Sequence, residues 1–232
     1  ANADSDGTSL IVIQMDTPGG SVEIMKQLTD VMVRSRVPIA VWVGPEGARA
    51  ASAGTFVTLA AHVAAMSPGT TIGAASVVSM EGQELDETSR AKITNDLTAR
   101  VRNFTQRRGA EAMDWAERAV TDAIAGTAEE VLALGVIDFI AADIPDLLFE
   151  MDGMTVDVAG SMVTLHTANL PAEPLPMSWP ESLLHMITDP NIAFILMTLG
   201  LNGLLYEISS PGGYAAGIVG GICLVLGLYA MG

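Results

Sequence analysis

Ser52 sits in the run Gly47-Ala48-Arg49-Ala50-Ala51-Ser52-Ala53-Gly54-Thr55-Phe56, between the apolar segment Ile39 to Val43 and a second apolar stretch of helical character. A serine hydroxyl at a strand-to-helix junction suits nucleophilic chemistry. Small neighbours let another backbone approach, and the free N–H groups of a helix start stabilise developing negative charge. The same run of Ala, Ser and Gly also serves plain packing of helix on sheet, and on its own it leaves both readings open. Upstream, Ile11-Val12-Ile13-Gln14-Met15-Asp16-Thr17-Pro18-Gly19-Gly20 leads from an apolar strand into a rigid, glycine-rich turn. Pro18 has no N–H, and glycine tolerates backbone angles closed to other residues. A Gly19 or Gly20 amide could therefore face a substrate carbonyl, or the turn could simply join strand to helix.

A serine nucleophile needs a proton acceptor. His62 directly precedes an apolar strand, and His166 and His185 lie in a small β-unit and ahead of the last apolar segments, so all three histidines read as structural. No HExxH or paired-cysteine spacing suggests a metal. The single cysteine, Cys223, falls inside the final apolar run, where burial in lipid would keep it from acting as a thiolate. Two lysines remain, and a lysine accepts a proton only as the neutral amine, which desolvation favours. Lys26 shares a helix face with Asp30 and Arg34 at i, i+4 spacing, the mark of a solvated side. Lys92 groups with Asn95, Asp96, Ala99 and Asn103, opposite a stripe of Ile93, Leu97, Val101 and Phe104. Periodicity alone makes it a surface lysine.

The elements that must hold these residues follow from pattern and punctuation. Ser9 to Met15 reads as a buried strand. Ser21 is a suitable N-cap for a helix over Glu23 to Ser35, with Ile24, Met25, Leu28, Val31 and Met32 on its apolar side. Pro38 to Val43 and Val63 to Met66 read as strands, Ala51 to Ala61 as a helix, Ser67 to Ala75 as a loop of small residues and Met80 to Glu87 as an acidic loop. A long helix is expected over Thr88 to Arg107, then helices over Glu111 to Asp122 and Thr127 to Leu134, the latter opened by the capping box Thr127 and Glu130. Val136 to Ala141 reads as a strand, Ile144 to Met151 as a helix, and Met154 to Val158 with Ser161 to Leu165 as a hairpin. Residues 1–168 should thus form one domain, 169–190 a proline-rich linker and 191–232 a membrane segment of two apolar helices, cut short at the C-terminus. Gly213, Gly217 and Gly221, at four-residue intervals, should let the helices pack closely in lipid; a buried hairpin of a water-soluble domain is the alternative.

Taken in order, the strand, the Thr17-Pro18-Gly19-Gly20 turn, the Ala50-Ala51-Ser52-Ala53-Gly54 elbow and the later helical Lys92 resemble the NfeD family of membrane-bound serine proteases, in the ClpP and signal-peptide-peptidase-A superfamily. The resemblance runs from about Leu10 to the end, although the family more often has Asn where Thr71 stands. It implies an α/β fold, a ClpP/crotonase-like ββα spiral followed by C-terminal transmembrane helices. It implies Ser52 as nucleophile and Lys92 as base, on a helix lining a cleft whose wall a second subunit completes. The amides of Ala53 and of Gly19 or Gly20 would form the oxyanion hole. It further implies no cofactor and an apolar segment of a stomatin-like membrane protein as substrate. A homodimer or larger homo-oligomer would sit in the membrane as an integral, multi-pass protein with the protease domain outside the cytoplasm.

The net charge of −16 argues against a nucleic-acid partner and against docking on anionic headgroups; a high-salt habitat is another source of such acidity. Charge is also unevenly spread: after Asp189 only Glu207 remains, so a soluble domain precedes the membrane segments. Two other functions fit the same fold. One is a catalytically silent membrane scaffold for a stomatin-like partner. The other is acyl-CoA chemistry, which the acidity and the lack of an evident basic diphosphate site disfavour.

Overall fold

The computed structural model describes residues 9–77, 86–168, 170–209 and 213–231. Two units result, Ala1–Ala172 and Glu173–Gly232. In the first, β1 (Ile11–Met15), α1 (Val22–Val33), β2 (Ile39–Val43), β3 (Arg49–Ala51), α2 (Ala53–Ala60), β4 (Val63–Met66) and β5 (Thr71–Gly73) precede the long α3 (Glu87–Thr105), which ends in a 3-10 turn. Then come α4 (Ala110–Thr121), β6 (Ala125–Thr127), α5 (Ala128–Ala133), β7 (Phe139–Ile140), α6 (Ile144–Glu150), β8 (Thr155–Val158) and β9 (Ser161–Thr164). The second unit holds α7 (Trp179–Ile187), α8 (Pro190–Ser209) and α9 (Ala215–Met231).

A parallel sheet of order β1-β2-β4-β7 forms the centre of the first unit. Both faces are covered, and so β2 and β4 are apolar at every position rather than alternating with polar residues. Ile39, Val41 and Val43 of β2, with Ala64 and Met66 of β4, turn to a core shared with α1 to α5. Ala40, Trp42, Val63 and Ala65 turn the other way, onto Leu147 and Met151 around α6 and onto Val156 and Val158 of β8. Trp42 Nε1 donates to the Ala141 carbonyl at 2.9 Å, so the indole fills the second core without orphaning its N–H.

A smaller sheet, β3-β5-β6, stands beside the first and carries the Ser52 elbow. All three of its strands span three residues, too few for a period-2 pattern to declare itself. β5 lies inside the stretch read as a loop, and the strand expected over Val136 to Ala141 shortens to Phe139–Ile140. The capping box of Thr127 and Glu130 is present at the start of α5. The loop expected over Met80 to Glu87 falls mostly outside the described residues, which resume at its end with Asp86 capping α3 through Ser89 N–H.

One helix face departs from expectation. Along α1 the buried residues are Met25, Thr29 and Met32, while Ile24 (66% exposed), Leu28 and Val31 (69%) face outward. Thr29 can turn inward because its hydroxyl donates to the Met25 carbonyl at 2.9 Å, which removes the cost of burying it.

His62 is buried, and its Nδ1 accepts the Ile39 N–H at 3.0 Å. Burial, assisted by nearby Arg107, holds the imidazole below its ordinary value, and an Nδ1 that accepts a backbone N–H must be unprotonated, which favours the same neutral form. Between that lowered value and about 6.5 the unfolded chain binds more protons than the folded one. Stability is thus fully present above about 6.5 and is lost as pH falls below it. Thermal unfolding followed across that window should show the loss, and His62→Asn should remove it; a wild-type transition flat through the window would contradict the assignment.

In the second unit α8 and α9 pack as an antiparallel hairpin. The glycines at their interface are Gly200, Gly203, Gly220 and Gly227: a Cβ on Gly220 would lie 2.9 Å from Gly200 O, and one on Gly200 would lie 2.8 Å from Leu224 N. The expected stripe is displaced, since Gly213 and Gly221 face open space and Gly217 rests against Glu207. Glu207 caps the facing helix, its carboxylate accepting the N–H groups of Tyr214 at 3.0 Å and Gly217 at 3.2 Å. Asn191–Ser209 is long and apolar enough to cross a bilayer, with mean hydropathy 1.6.

Candidate active site

Ser52 joins β3 to α2 with φ 51 and ψ −116, a backbone conformation that costs a non-glycine residue about 1–3 kcal/mol. The surrounding hydrogen bonds hold it there. Ser52 N–H donates to the Gly73 carbonyl at 3.0 Å, and Ser52 O accepts Thr55 N–H at 3.0 Å. Thr55, fully buried, is the clamp beneath: its hydroxyl oxygen lies 3.0 Å from both the Ala50 and Gly73 carbonyls and accepts Gly73 N–H at 3.2 Å. A strained turn that presents a hydroxyl at a helix N-terminus is the geometry of a nucleophile elbow. Replacing Thr55 with Val keeps the shape and strands the Gly73 N–H. It should cost about 1–3 kcal/mol in denaturant unfolding, with Thr55→Ser close to wild type.

The Thr17-Pro18-Gly19-Gly20 turn lies directly against this elbow. Thr17 N–H donates to Arg49 O at 2.7 Å and Thr17 O accepts Ala51 N–H at 3.1 Å, tying the end of β1 to β3. Gly19 has φ +131, and a Cβ there would come 2.8 Å from Ser52 Cβ and 3.2 Å from Ser52 Oγ. Only glycine fits that position. The Gly19 N–H is taken by Thr17 Oγ1 at 3.1 Å. Gly20 is exposed, and a Cβ on it would meet nothing within 4 Å. Ala53, half-buried, opens α2, where first-turn N–H groups have no carbonyl within the helix. Ser52, Gly19 and Ala53 therefore share one locus, with Gly20 at its open side.

The two lysines have different surroundings. Lys26 Nζ pairs with Asp96 at 2.6 Å. Arg100, one turn further along α3, pairs with Asp30 at 2.7 Å and donates to Thr29 Oγ1 at 3.1 Å. Those two pairs fasten α1 to α3 with residue order preserved, 26 to 96 and 30 to 100. Lys92 is exposed on α3, one turn before Asp96, and makes no ion pair among the described residues. Its neighbour Ile93 packs on the core. No local pattern marks Thr55 as the clamp or Gly73 as its partner. The one available signal was the recurrence of Gly and small residues between Ser67 and Ala75.

Comparison with known proteins bears on this geometry. Residues 1–148 match the family model of the NfeD1b N-terminal domain, and residues 191–232 that of the NfeD integral membrane domain. The chain is 37% identical over 235 residues to the membrane-bound protease PH1510 of Pyrococcus horikoshii, covering 99% of this chain and 53% of that protein. It is 26% identical over 227 residues to membrane protein NfeD1b of Bacillus subtilis, covering 94% of this chain and 48% of that protein. The chain thus spans about half the length of the curated relatives it matches. Among solved structures, it superposes with TM-score 0.70 at 35% identity on a lysine-to-alanine mutant of the 1510-N membrane-bound stomatin-specific protease in complex with a substrate peptide, covering 78% of this chain and 84% of that one. A serine-to-alanine mutant of the same protease matches with TM-score 0.67 at 35% identity, covering 76% and 86%.

Proposed function

The chain belongs to the NfeD family, and from that premise we propose that its α/β unit is a membrane-anchored serine endopeptidase in which Ser52 and Lys92 form a catalytic dyad. The observation that carries the reading is the register of the α1–α3 seam. With Lys26 against Asp96 and Asp30 against Arg100, one further turn back on each helix comes to Lys92 on α3 and to Val22 at the start of α1, the end toward which a base at position 92 would reach. That end follows directly on Gly19 and Gly20, the turn that abuts Ser52. Lys26, held by Asp96, is the weaker candidate for the base.

In this mechanism the neutral Lys92 amine takes the proton of Ser52 Oγ as the oxygen attacks a peptide carbonyl. The oxyanion is received by the N–H groups of Ala53 and Gly20, because Gly19 N–H is already engaged with Thr17. Lys92 returns the proton to the leaving amine, and a water activated by Lys92 then hydrolyses the acyl-enzyme. The base must leave bulk water to act, and the bound peptide together with a second copy of the chain supplies that cover. Ile24, Leu28 and Val31, uncovered beside the seam, suit such a homo-oligomer. The 1510-N relative is described as stomatin-specific, which supports an apolar segment of a stomatin-like membrane protein as substrate here. The protease unit is assigned to the extracytoplasmic side of a multi-pass protein.

The test is fluorophosphonate labelling of the whole chain in lipid or detergent, with the modified residue mapped by mass spectrometry and cleavage of apolar peptides measured in parallel. Labelling at Ser52, lost together with cleavage in Ser52→Ala, is the expected result. Equal labelling or cleavage by Ser52→Ala would remove the reading and leave the scaffold.

A further inference from the structure

The first helix of the second unit, α7, has the form of an element built to lie on a membrane surface. Trp179, Leu183, Leu184, Met186 and Ile187 occupy one arc of about 160° at helical spacing, while Glu181, Ser182, His185 and Thr188 occupy the opposite side. The helix is firmly terminated. Glu181 accepts the Ser178 N–H at 2.7 Å at its start, and Thr188 Oγ1 donates to the Leu184 carbonyl at 3.0 Å at its end. Yet most of its apolar face is uncovered: Trp179 is 76% exposed and Leu184 and Met186 are about half exposed, while Leu183 is less so and Ile187 is half-buried. At nine residues it is about 14 Å long, far short of the roughly 30 Å needed to span a hydrocarbon core.

Its position identifies what covers that face. Only Thr188 and Asp189 separate α7 from α8, and Asp189 Oδ1 caps α8 by accepting the N–H groups of Asn191 at 2.8 Å and Ile192 at 3.3 Å. The corner is therefore fixed by hydrogen bonds. Of the most apolar stretch of α8 only 11% is buried within the protein, and its length and apolarity suit it to cover by acyl chains. A helix pinned at the end of such a span begins at the depth where hydrocarbon meets headgroup. We infer that α7 lies in the interfacial plane of the bilayer, its Trp179–Leu183–Met186 side sunk about 5–10 Å into the headgroup and acyl boundary and its Glu181–His185 side in water. α7 has no Lys or Arg, so apolar burial holds it there and attraction to anionic lipid does not.

The whole chain, reconstituted in phosphatidylcholine vesicles with acyl chains brominated near the headgroup or near the bilayer centre, tests this. Trp42 and Trp115 are buried in the other unit, and subtracting the signal of Trp179→Phe isolates Trp179. Shallow bromines should quench it several-fold more than deep ones, unchanged by added phosphatidylglycerol or by high salt. The double substitution Leu183→Glu and Met186→Glu should abolish the quenching while the chain stays resistant to carbonate extraction. Absence of Trp179-dependent quenching, stronger quenching from the bilayer centre, or a requirement for anionic lipid would each overturn the inference. So would cross-linking of Leu183→Cys, in a Cys223→Ser background, to the same position of a second copy.

Discussion

Lys92→Ala is expected to lower the turnover of an apolar peptide by roughly 10²- to 10⁴-fold, the usual contribution of a positioned general base. That corresponds to about 3–5 kcal/mol of transition-state stabilisation. Lys26 is the internal control, of the same residue type on the other side of the same seam. Its pair with Asp96 is partly exposed and worth about 0–1 kcal/mol, so Lys26→Ala should leave both stability and turnover nearly unchanged. Lys92→Arg should be as inactive as Lys92→Ala, because a guanidinium stays protonated and cannot accept the serine proton. The readout is kcat/KM for the three variants, with the fluorophosphonate labelling rate as a second measure. Cleavage by Lys92→Ala within a few-fold of wild type would end the dyad while leaving the elbow intact.

Gly73→Ala should be the most damaging single-methyl change in the α/β unit. The added carbon would lie 2.4 Å from the Ile124 carbonyl oxygen and 2.6 Å from Ala125 Cα, both backbone atoms, at a φ of +128. β5 and β6 would have to separate, and the Gly73 carbonyl that receives Ser52 N–H would move with them. Backbone strain and overpacking each cost about 1–3 kcal/mol, a large share of the 5–15 kcal/mol that holds a typical domain together. Gly47→Ala separates the two causes, since Gly47 also has positive φ (+84) but nothing within 4 Å of its Cβ position. It should cost only about 1 kcal/mol, from the conformational preference alone. Denaturant unfolding followed by Trp42 and Trp115 fluorescence gives both numbers, and equal losses would show that contact with β6 is not what matters.

Legibility in the sequence tracked how local each cause was. β2 and β4 were recognisable because a strand covered on both faces is apolar throughout, and the Thr127–Glu130 cap because its partners lie three residues apart. Ser52 stood out by its small neighbours, but its φ, and the Thr55 clamp that sustains it, depend on a carbonyl at Gly73, 21 positions away in the chain. α1 misled for a related reason. Ile24, Leu28 and Val31 have the right spacing for a core stripe, and only the tertiary arrangement shows Thr29 turned inward in their place. The ion pairs that join α1 to α3 rest on side chains some seventy residues apart, which no periodicity within either helix could supply.

The carboxylate of Glu207, held by the N–H groups of Tyr214 and Gly217, bears on what it would cost to place that end of α8 in a bilayer. An acid between two apolar helices ordinarily resists insertion, because it carries its hydration with it. Here the positive end of a helix dipole and two donors stand in for much of that water. On entering a bilayer, that end of α8 would give up less hydration than a bare carboxylate would.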